Sequence, residues 1–215
     1  MFSKETYITR RAELKKLTES GLILIFGNND SPANYPANTY KFRQDSTFLY
    51  FFGWQRDGLV GVIDVDNDRE YFVGDEIDID DIVWYGSVTS VGEMATRVGV
   101  ARTAKMRELQ NIIDAAKSSG QEIHFLPPYR FDTKIQIMDL LGLHPAVQKE
   151  AASRKLIDAV VKLRSTKSEE EIAELERAAR IGYEMHTAAM RLCSPETTEQ
   201  YIGGVLDGIA SSYGC

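Results

Sequence analysis

The sequence contains little cysteine and no long apolar run, and each shortage excludes a class of protein. Among 215 residues the cysteines are Cys193 and Cys215 alone, so no disulfide framework is indicated and a reducing cytoplasm is expected. No stretch approaches the roughly 18 consecutive apolar residues of a membrane span. The N-terminal segment MFSKETYITRRAELKK is charged and does not resemble a signal peptide. We therefore expect a cytoplasmic protein that is not inserted in a membrane.

The chain also lacks a basic surface. Its 25 Lys and Arg residues are outnumbered by 32 Asp and Glu residues, which gives a formal net charge of −7. Nucleic-acid binding requires a basic face that neutralises phosphates, and the sequence contains no such cluster. This composition argues against a nucleic-acid partner and is ordinary for a globular domain.

Motifs for catalysis and metal binding are missing as well. The three histidines, His124, His144 and His186, lie too far apart for local zinc-ligand spacing. The sequence contains no H-E-x-x-H, C-x-x-C or G-x-S-x-G motif. His186 falls on the apolar stripe of its helix, where we expect a hydrogen-bonded packing residue. The acidic run at residues 75–81 lacks the spacing of a calcium loop and is interpreted as a solvated face.

The rest of the chain is organised around residues 40–54, YKFRQDSTFLYFFGW. Seven aromatic side chains in this segment predict burial in a core or an interface. The polar residues between them, from Arg43 to Ser46, then require hydrogen-bond partners. Gly53 permits a turn or a close backbone approach. The pattern favours a core hairpin or a short helix with polar caps.

Apolar runs and amphipathic stretches alternate along residues 1–142, which predicts an α/β fold with a mixed β-sheet flanked by helices. The predicted strands are Leu22–Phe26, residues 59–65, residues 70–73 and residues 123–126. Ser3 is expected to cap the first helix, residues 103–118 form another, and Asp132 caps a further one.

The C-terminal part of the chain is predicted to be helical. Ser168 followed by three glutamates is a capping box for a long helix, whose apolar stripe includes Ile172 and Leu175. Pro195 interrupts this helix, and a second one begins at about Thr198.

Two motifs resemble the creatinase, prolidase and aminopeptidase P family of metallopeptidases. The pattern F-R-Q-D-S-x-F-x-Y-x-x-G at residues 42–53 resembles the signature of the family's N-terminal domain. The pattern L-R-x-x-K-S-x-E-E-I at residues 163–172 resembles its junction with the catalytic "pita-bread" domain. The resemblance implies an N-terminal domain at residues 1–163 and the truncated start of the metallopeptidase domain at residues 164–215.

The resemblance also implies an activity, that of a Xaa-Pro aminopeptidase. Such an enzyme releases the first residue from peptides with proline second, using two divalent metal ions, here expected to be Mn²⁺, that activate a water molecule. In relatives the metal ligands lie beyond the position of Cys215. We therefore expect no catalytic residue, no metal site and no activity in this chain alone. Two alternatives stay open, a Xaa-Pro dipeptidase (prolidase) and a non-catalytic binding module related to the pita-bread fold.

A third similarity concerns oligomerisation. Relatives with an I-W-F-G-like segment use the N-terminal domain to form oligomers, and an aromatic residue from it lines a neighbouring subunit's substrate pocket. The segment Ile82-Val83-Trp84-Tyr85-Gly86 is similar. The resemblance thus implies a homo-oligomer in which Trp84 is at least partly exposed in the free chain and lies near a subunit contact. We also expect the two helices after Ser168 to expose an apolar patch or to bury it against a neighbour.

Overall fold

A computed structural model describes residues 1–78, 82–84 and 86–215. Tyr85 of the Trp84 segment and residues 79–81 of the acidic run therefore lie outside the described residues. The chain divides into two compact units, Met1–Ser165 and Thr166–Cys215. None of the described helices is long and apolar enough to cross a membrane.

The described residues of the first unit form seven strands and several helices. Its elements in chain order are α1 (Lys4–Thr18), β1 (Leu22–Phe26), β2 (Pro32–Tyr35), β3 (Asn38–Thr39), α2 (Ser46–Phe52), β4 (Val60–Asp64), β5 (Arg69–Val73), α3 (Val91–Arg97), β6 (Arg102–Ala104), a 3₁₀ turn (Met106–Glu108), α4 (Leu109–Ser118), β7 (Ile123–Phe125), α5 (Phe131–Leu141), α6 (Gln148–Ala151) and α7 (Arg154–Ser165).

Five of the strands form one mixed sheet in the order β6-β5-β4-β1-β7. Strand β4 lies antiparallel to both β1 and β5, whereas β7 is parallel to β1 and β6 is parallel to β5. Strands β2 and β3 form a separate ribbon.

The core lies on both faces of the sheet. Strand β1 shows the reason, because Ile23 and Ile25 point into one apolar cluster while Leu22 and Leu24 point into the other. Helices α1, α2, α3 and α7 supply the first cluster, and helices α4 and α5 supply the second. The fold class expected from the sequence, a mixed sheet flanked by helices, is confirmed.

Two local predictions are wrong. The predicted helix at residues 103–118 begins only at Leu109, because Arg102–Ala104 pair with the open edge of β5 as strand β6. Helix α5 begins at Phe131 with Arg130 in the capping position, and Asp132 accepts a hydrogen bond from Arg130 instead of capping the helix. The turn-rich region before Tyr40 contains the ribbon of β2 and β3.

The second unit, all of whose residues are described, is a pair of helices, α8 (Glu169–Leu192) and α9 (Glu199–Ser212). The predicted capping box is present, since Glu171 N donates to Ser168 Oγ and Ser168 N donates to a Glu171 carboxylate oxygen. Ile181 is the only buried side chain of the pair.

The predicted apolar stripe of α8 is therefore largely exposed. Ile172 and Leu175 are about half exposed, and His186 is exposed too, so its prediction as a packing residue is wrong. The physical reason is that two helices by themselves can bury only the narrow seam between them. Exposed apolar side chains are present on both helices, among them Leu175 and Met190 of α8 and Tyr201 of α9.

Candidate functional site

The signature segment folds as helix α2, with an aspartate cap at its N-terminus and a glycine cap at its C-terminus. Asp45 is the N-cap, and its Oδ1 accepts hydrogen bonds from Thr47 N at 2.8 Å and Phe48 N at 2.9 Å. Gly53 ends the helix at φ 70°, the left-handed conformation that glycine adopts without strain. The rings of Phe48, Phe51 and Phe52 are buried, but Tyr40 is 67% exposed, so the prediction of burial is wrong for that residue, which lies outside the helix. Of the two structures favoured by the sequence, the short helix is the one present.

Gln44 fixes this helix to the sheet. Its side chain is buried, and Oε1 accepts from Asn28 N at 2.6 Å and from Asp45 N at 2.8 Å. Its Nε2 donates to Arg56 O at 2.5 Å. One amide thus joins the end of β1, the start of α2 and the loop before β4. This satisfies the requirement for partners and assigns Gln44 a structural role.

The network extends to Tyr129, which the sequence analysis did not single out. The Tyr129 hydroxyl accepts from Asn28 Nδ2 at 3.1 Å and donates to Asp45 Oδ2 at 3.1 Å. Partial burial, with the Asp45 carboxylate, raises the pKa of Tyr129, while the hydrogen bond with Asn28 opposes this shift. Tyr129 therefore remains a neutral donor at ordinary pH.

A second cluster, also missed, is centred on Arg11. Its guanidinium is fully buried and donates through Nε to Glu70 Oε2 at 2.7 Å, through Nη1 to Phe51 O at 2.9 Å and through Nη2 to Val98 O at 2.8 Å. Burial lowers the pKa of Arg11, and Glu70 opposes this shift. Arg11 thereby joins α1 to the C-terminal ends of α2 and α3.

Trp84, the predicted substrate-pocket residue, lies in a solvent-exposed helical turn at residues 82–84. The Trp84 side chain is 82% exposed, and Val83 beside it is 76% exposed. The exposure expected for the free chain is therefore observed. A contact with a neighbouring subunit stays a prediction.

The first two carboxylates of the acidic run have specific partners. Both oxygens of Glu76 accept from Val91 N, at 3.0 and 3.1 Å, and Asp75 Oδ1 accepts from Met106 N at 3.1 Å. Their side chains remain exposed, as a solvated face requires, but they also bind backbone groups at the starts of α3 and the 3₁₀ turn. Residues 80 and 81 lie outside the described part of the chain.

A cleft of about 710 Å³ adjoins these carboxylates. Its lining combines apolar groups such as Phe42 with the acidic side chains of Asp30, Asp57 and Glu76. Burial, and then the nearby Asp57 carboxylate, raise the pKa of Asp30. Among the described residues, the cleft lining contains no histidine, cysteine or serine.

The two histidines of the first unit lie in separate elements, and the third lies in the second unit. His124 is 1% exposed, with Nε2 at 3.0 Å from Ser20 O and Nδ1 at 2.7 Å from Ser153 Oγ. Because a carbonyl only accepts, Nε2 carries the proton and Nδ1 accepts from the serine hydroxyl. His144 lies in the loop after α5 and His186 lies in α8. Within the described residues, no group of three or more His, Cys, Asp or Glu side chains is arranged to hold a metal ion.

The fold matches solved structures of one class of enzyme over its whole length. The low-pH form of aminopeptidase P from E. coli superposes with a TM-score of 0.78 at 23% identity and covers 100% of this chain and 50% of that one. Zinc-substituted E. coli aminopeptidase P in complex with product gives a TM-score of 0.77 at 22% identity, covering 99% and 50%. The chain therefore has the fold of the N-terminal half of the aminopeptidase P class.

Sequence comparison identifies the family. Residues 7–124 match the family described as "Aminopeptidase P, N-terminal domain", and the chain belongs to it. It is 25% identical over 210 residues to the Xaa-Pro aminopeptidase of Escherichia coli (strain K12), covering 94% of this chain and 48% of that protein. It is 22% identical over 172 residues to a probable Xaa-Pro aminopeptidase of Leptosphaeria maculans, covering 80% and 28%. The chain thus spans half or less of the length of these relatives.

Proposed function

We propose that this chain is the N-terminal part of a Xaa-Pro aminopeptidase, an enzyme that releases the first residue from peptides with proline in the second position. The observation that carries the proposal is the similarity to the E. coli enzyme along 94% of the chain, through both units. In this proposal residues 1–163 form the N-terminal domain and residues 164–215 begin the catalytic domain.

The catalytic chemistry is proposed to reside outside these 215 residues. Two divalent metal ions, Mn²⁺ in our proposal, would polarise the peptide carbonyl and activate a water molecule. In this proposal the isolated chain is inactive, because its described residues contain no group of three or more His, Cys, Asp or Glu side chains that could hold a metal ion. Its own contribution is to fold the N-terminal domain and to present the start of the catalytic domain.

The N-terminal domain is proposed to mediate homo-oligomerisation in the cytoplasm. Trp84 of one subunit would contact the substrate pocket of a neighbour. Its exposure supports this role, because large aromatic side chains exposed beside other apolar groups commonly mark interaction sites. Both cysteines are free thiols, which suits a reducing compartment.

The proposal is tested with the longer polypeptide and with the 215-residue chain side by side. Each is assayed with Mn²⁺ on a Xaa-Pro dipeptide and on a Xaa-Pro tripeptide, and its bound metal is measured. We expect the longer protein to cleave the tripeptide and the short chain to cleave neither. Turnover of the dipeptide alone would instead identify a prolidase. A longer protein that binds no metal and cleaves neither peptide would identify a binding module.

A further inference from the structure

The exposed turn at residues 82–84 belongs to a segment whose two ends are bonded to each other. The segment leaves the sheet after β5, where Gly74 N donates to Ala104 O at 3.0 Å. Two residues later Glu76 accepts from Val91 N, the first residue of α3, with both carboxylate oxygens within 3.1 Å. We call Asp75, Glu76 and Val91 the neck of this segment.

The neck is also bonded to the body of the domain. Asp75 Oδ1 accepts from Met106 N, and the carbonyl of Asp75 accepts from Arg56 Nη2. A hydrogen bond to an ionised carboxylate is roughly twice as strong as one between neutral groups. Residues 75 and 76 are therefore held on one side by the sheet and on the other by α3.

The three described side chains of the turn, at residues 82–84, are all exposed. The side chains of Val83 and Trp84 are more than three-quarters exposed, so they gain little packing energy from their own domain. The recorded backbone bonds of the turn are local, from Ile82 N to Asp78 O at 3.2 Å and from Gly86 N to Ile82 O at 2.9 Å. The direction in which the turn projects then depends on the neck.

We propose that Glu76 is a positioning residue, which closes the neck and so orients the turn that carries Trp84 toward its partner subunit. Fewer orientations of the free turn mean a smaller entropy loss when Trp84 is immobilised in a contact. The identity of the partner rests on the proposed function, whereas the positioning role rests on the bond between Glu76 and Val91 N.

Hydrogen exchange tests the positioning role in the 215-residue chain. Glu76→Ala removes the acceptor, and we expect the amides of residues 82–84 and 86–90 to exchange at least about 10-fold faster, the lower end of the effect that loss of a charged hydrogen bond gives. Glu76→Gln keeps an acceptor oxygen and is expected to restore most of the protection.

Glu93→Ala is the matched control. Glu93 closes the capping box of α3 with Ser90, only two residues from Val91, but makes no bond to the neck. It is expected to speed exchange within Val91–Arg97 and to leave residues 82–84 unchanged. Equal exchange of the turn in Glu76→Ala and Glu93→Ala would overturn the proposal, as would a failure of Glu76→Gln to restore protection.

Association of the longer protein, measured by sedimentation equilibrium, separates this proposal from the proposed function. We expect Glu76→Ala to raise the dissociation constant of the oligomer about 3- to 10-fold, in the range for ordering a loop at an interface, with Glu76→Gln nearer to wild type. If Trp84→Ala weakens association and Glu76→Ala does not, the positioning role is wrong. If exchange responds as expected but Trp84→Ala leaves association unchanged, the proposed contact of Trp84 with a neighbouring subunit is wrong. The positioning role of Glu76 within the chain is then still supported.

Discussion

Arg11 and Glu70 form a salt bridge of 2.7 Å between Nε and Oε2 in which the arginine is wholly buried and the glutamate nearly so. The pair joins α1 to β5, and the two remaining guanidinium nitrogens hold the carbonyls of Phe51 and Val98. Four elements thus depend on one side chain. Glu70 also contacts Lys15 at 3.0 Å, so its carboxylate keeps a partner if Arg11 is lost.

We predict that Arg11→Ala strongly destabilises the first unit. Removing one partner of a buried ion pair costs about 3–5 kcal/mol, and here two buried carbonyls also lose their donor. Arg11→Lys should recover only part of this, because an ammonium cannot reach three acceptors in fork geometry. The measurement is the free energy of unfolding from urea titration of the 215-residue chain.

Arg154→Ala is the control for this prediction. Arg154 forms an exposed salt bridge with Asp158 one turn along α7, and such pairs contribute little because water screens them. We expect its urea midpoint to equal that of the wild type. Similar losses of stability in the two variants would show that the Arg11 cluster does not stabilise the fold.

Two glycines should respond in opposite ways to replacement by alanine. A Cβ at Gly61, in the middle of β4, would lie 1.9 Å from the Phe52 ring, whereas a Cβ at Gly182 in α8 meets no atom within 4 Å. Gly61→Ala forces the packed ring of α2 to move, at a cost of about 1–3 kcal/mol or more. Gly182→Ala should stabilise the helix by about 0.5–1 kcal/mol, because glycine is the more flexible residue in the unfolded chain.

Unfolding curves and helix-sensitive circular dichroism measure both changes. Because the two glycines lie in different units, the effects are expected to add in the double variant. A Gly61→Ala protein as stable as the wild type would mean that α2 does not pack on β4 as described.

The raised pKa of Tyr129 predicts a loss of stability at alkaline pH. In the folded chain the hydroxyl keeps its proton to a higher pH than in the unfolded chain, where its pKa is near 10. This contribution is therefore complete below the unfolded value and is lost as pH rises through the folded value. We expect the stability difference between wild type and Tyr129→Phe to be constant from pH 7 to 9 and to shrink above about pH 10.

The measurement is the urea midpoint of both proteins at closely spaced pH values. Tyr213 provides an internal comparison, because its hydrogen bond with Glu184 raises its pKa too, but as a single surface pair in the second unit that water screens. Tyr213→Phe should follow the wild type closely across this range. A stability difference for Tyr129→Phe that does not change with pH would contradict the raised pKa of its hydroxyl.

The features that were predicted well from the sequence depend on residues that lie close together along the chain. The caps at Ser3 and Ser168 each bond to a residue three positions later, so their spacing is visible in the sequence. Strand β1 is similarly evident, because burial on both faces demands a continuous apolar run.

The features that could not be predicted from the sequence depend on residues that lie far apart along the chain. Arg11 binds groups 40 to 87 positions away, and Tyr129 binds Asn28 across 101 positions. In the sequence Arg11 is one charge in a charged helix, and no periodicity marks it as buried. Strand β6 was missed for a related reason, since three residues become a strand only when the edge of β5 is beside them.

Trp84 gives the prediction on which the subunit contact depends. Its side chain is 82% exposed, so Trp84→Ala removes few contacts within the chain and should leave the free energy of unfolding unchanged. Trp54 is the matched control, because its Nε1 donates to Met94 O at 3.0 Å and its ring packs against the core. Trp54→Ala should destabilise the fold by about 2–4 kcal/mol, as expected for truncating a packed aromatic residue.

In the longer protein we expect Trp84→Ala to have a larger effect on subunit association than Trp54→Ala. Buried tryptophans at interfaces commonly contribute 2 kcal/mol or more to association, so we expect Trp84→Ala to raise the dissociation constant of the oligomer about 30-fold or more. If Trp84 also lines a neighbouring pocket, KM for a Xaa-Pro tripeptide should rise in the associated enzyme while kcat changes less. Trp54→Ala, at a temperature where it remains folded, should alter neither quantity. A Trp84→Ala enzyme with wild-type association and wild-type KM would exclude Trp84 from both the interface and the pocket.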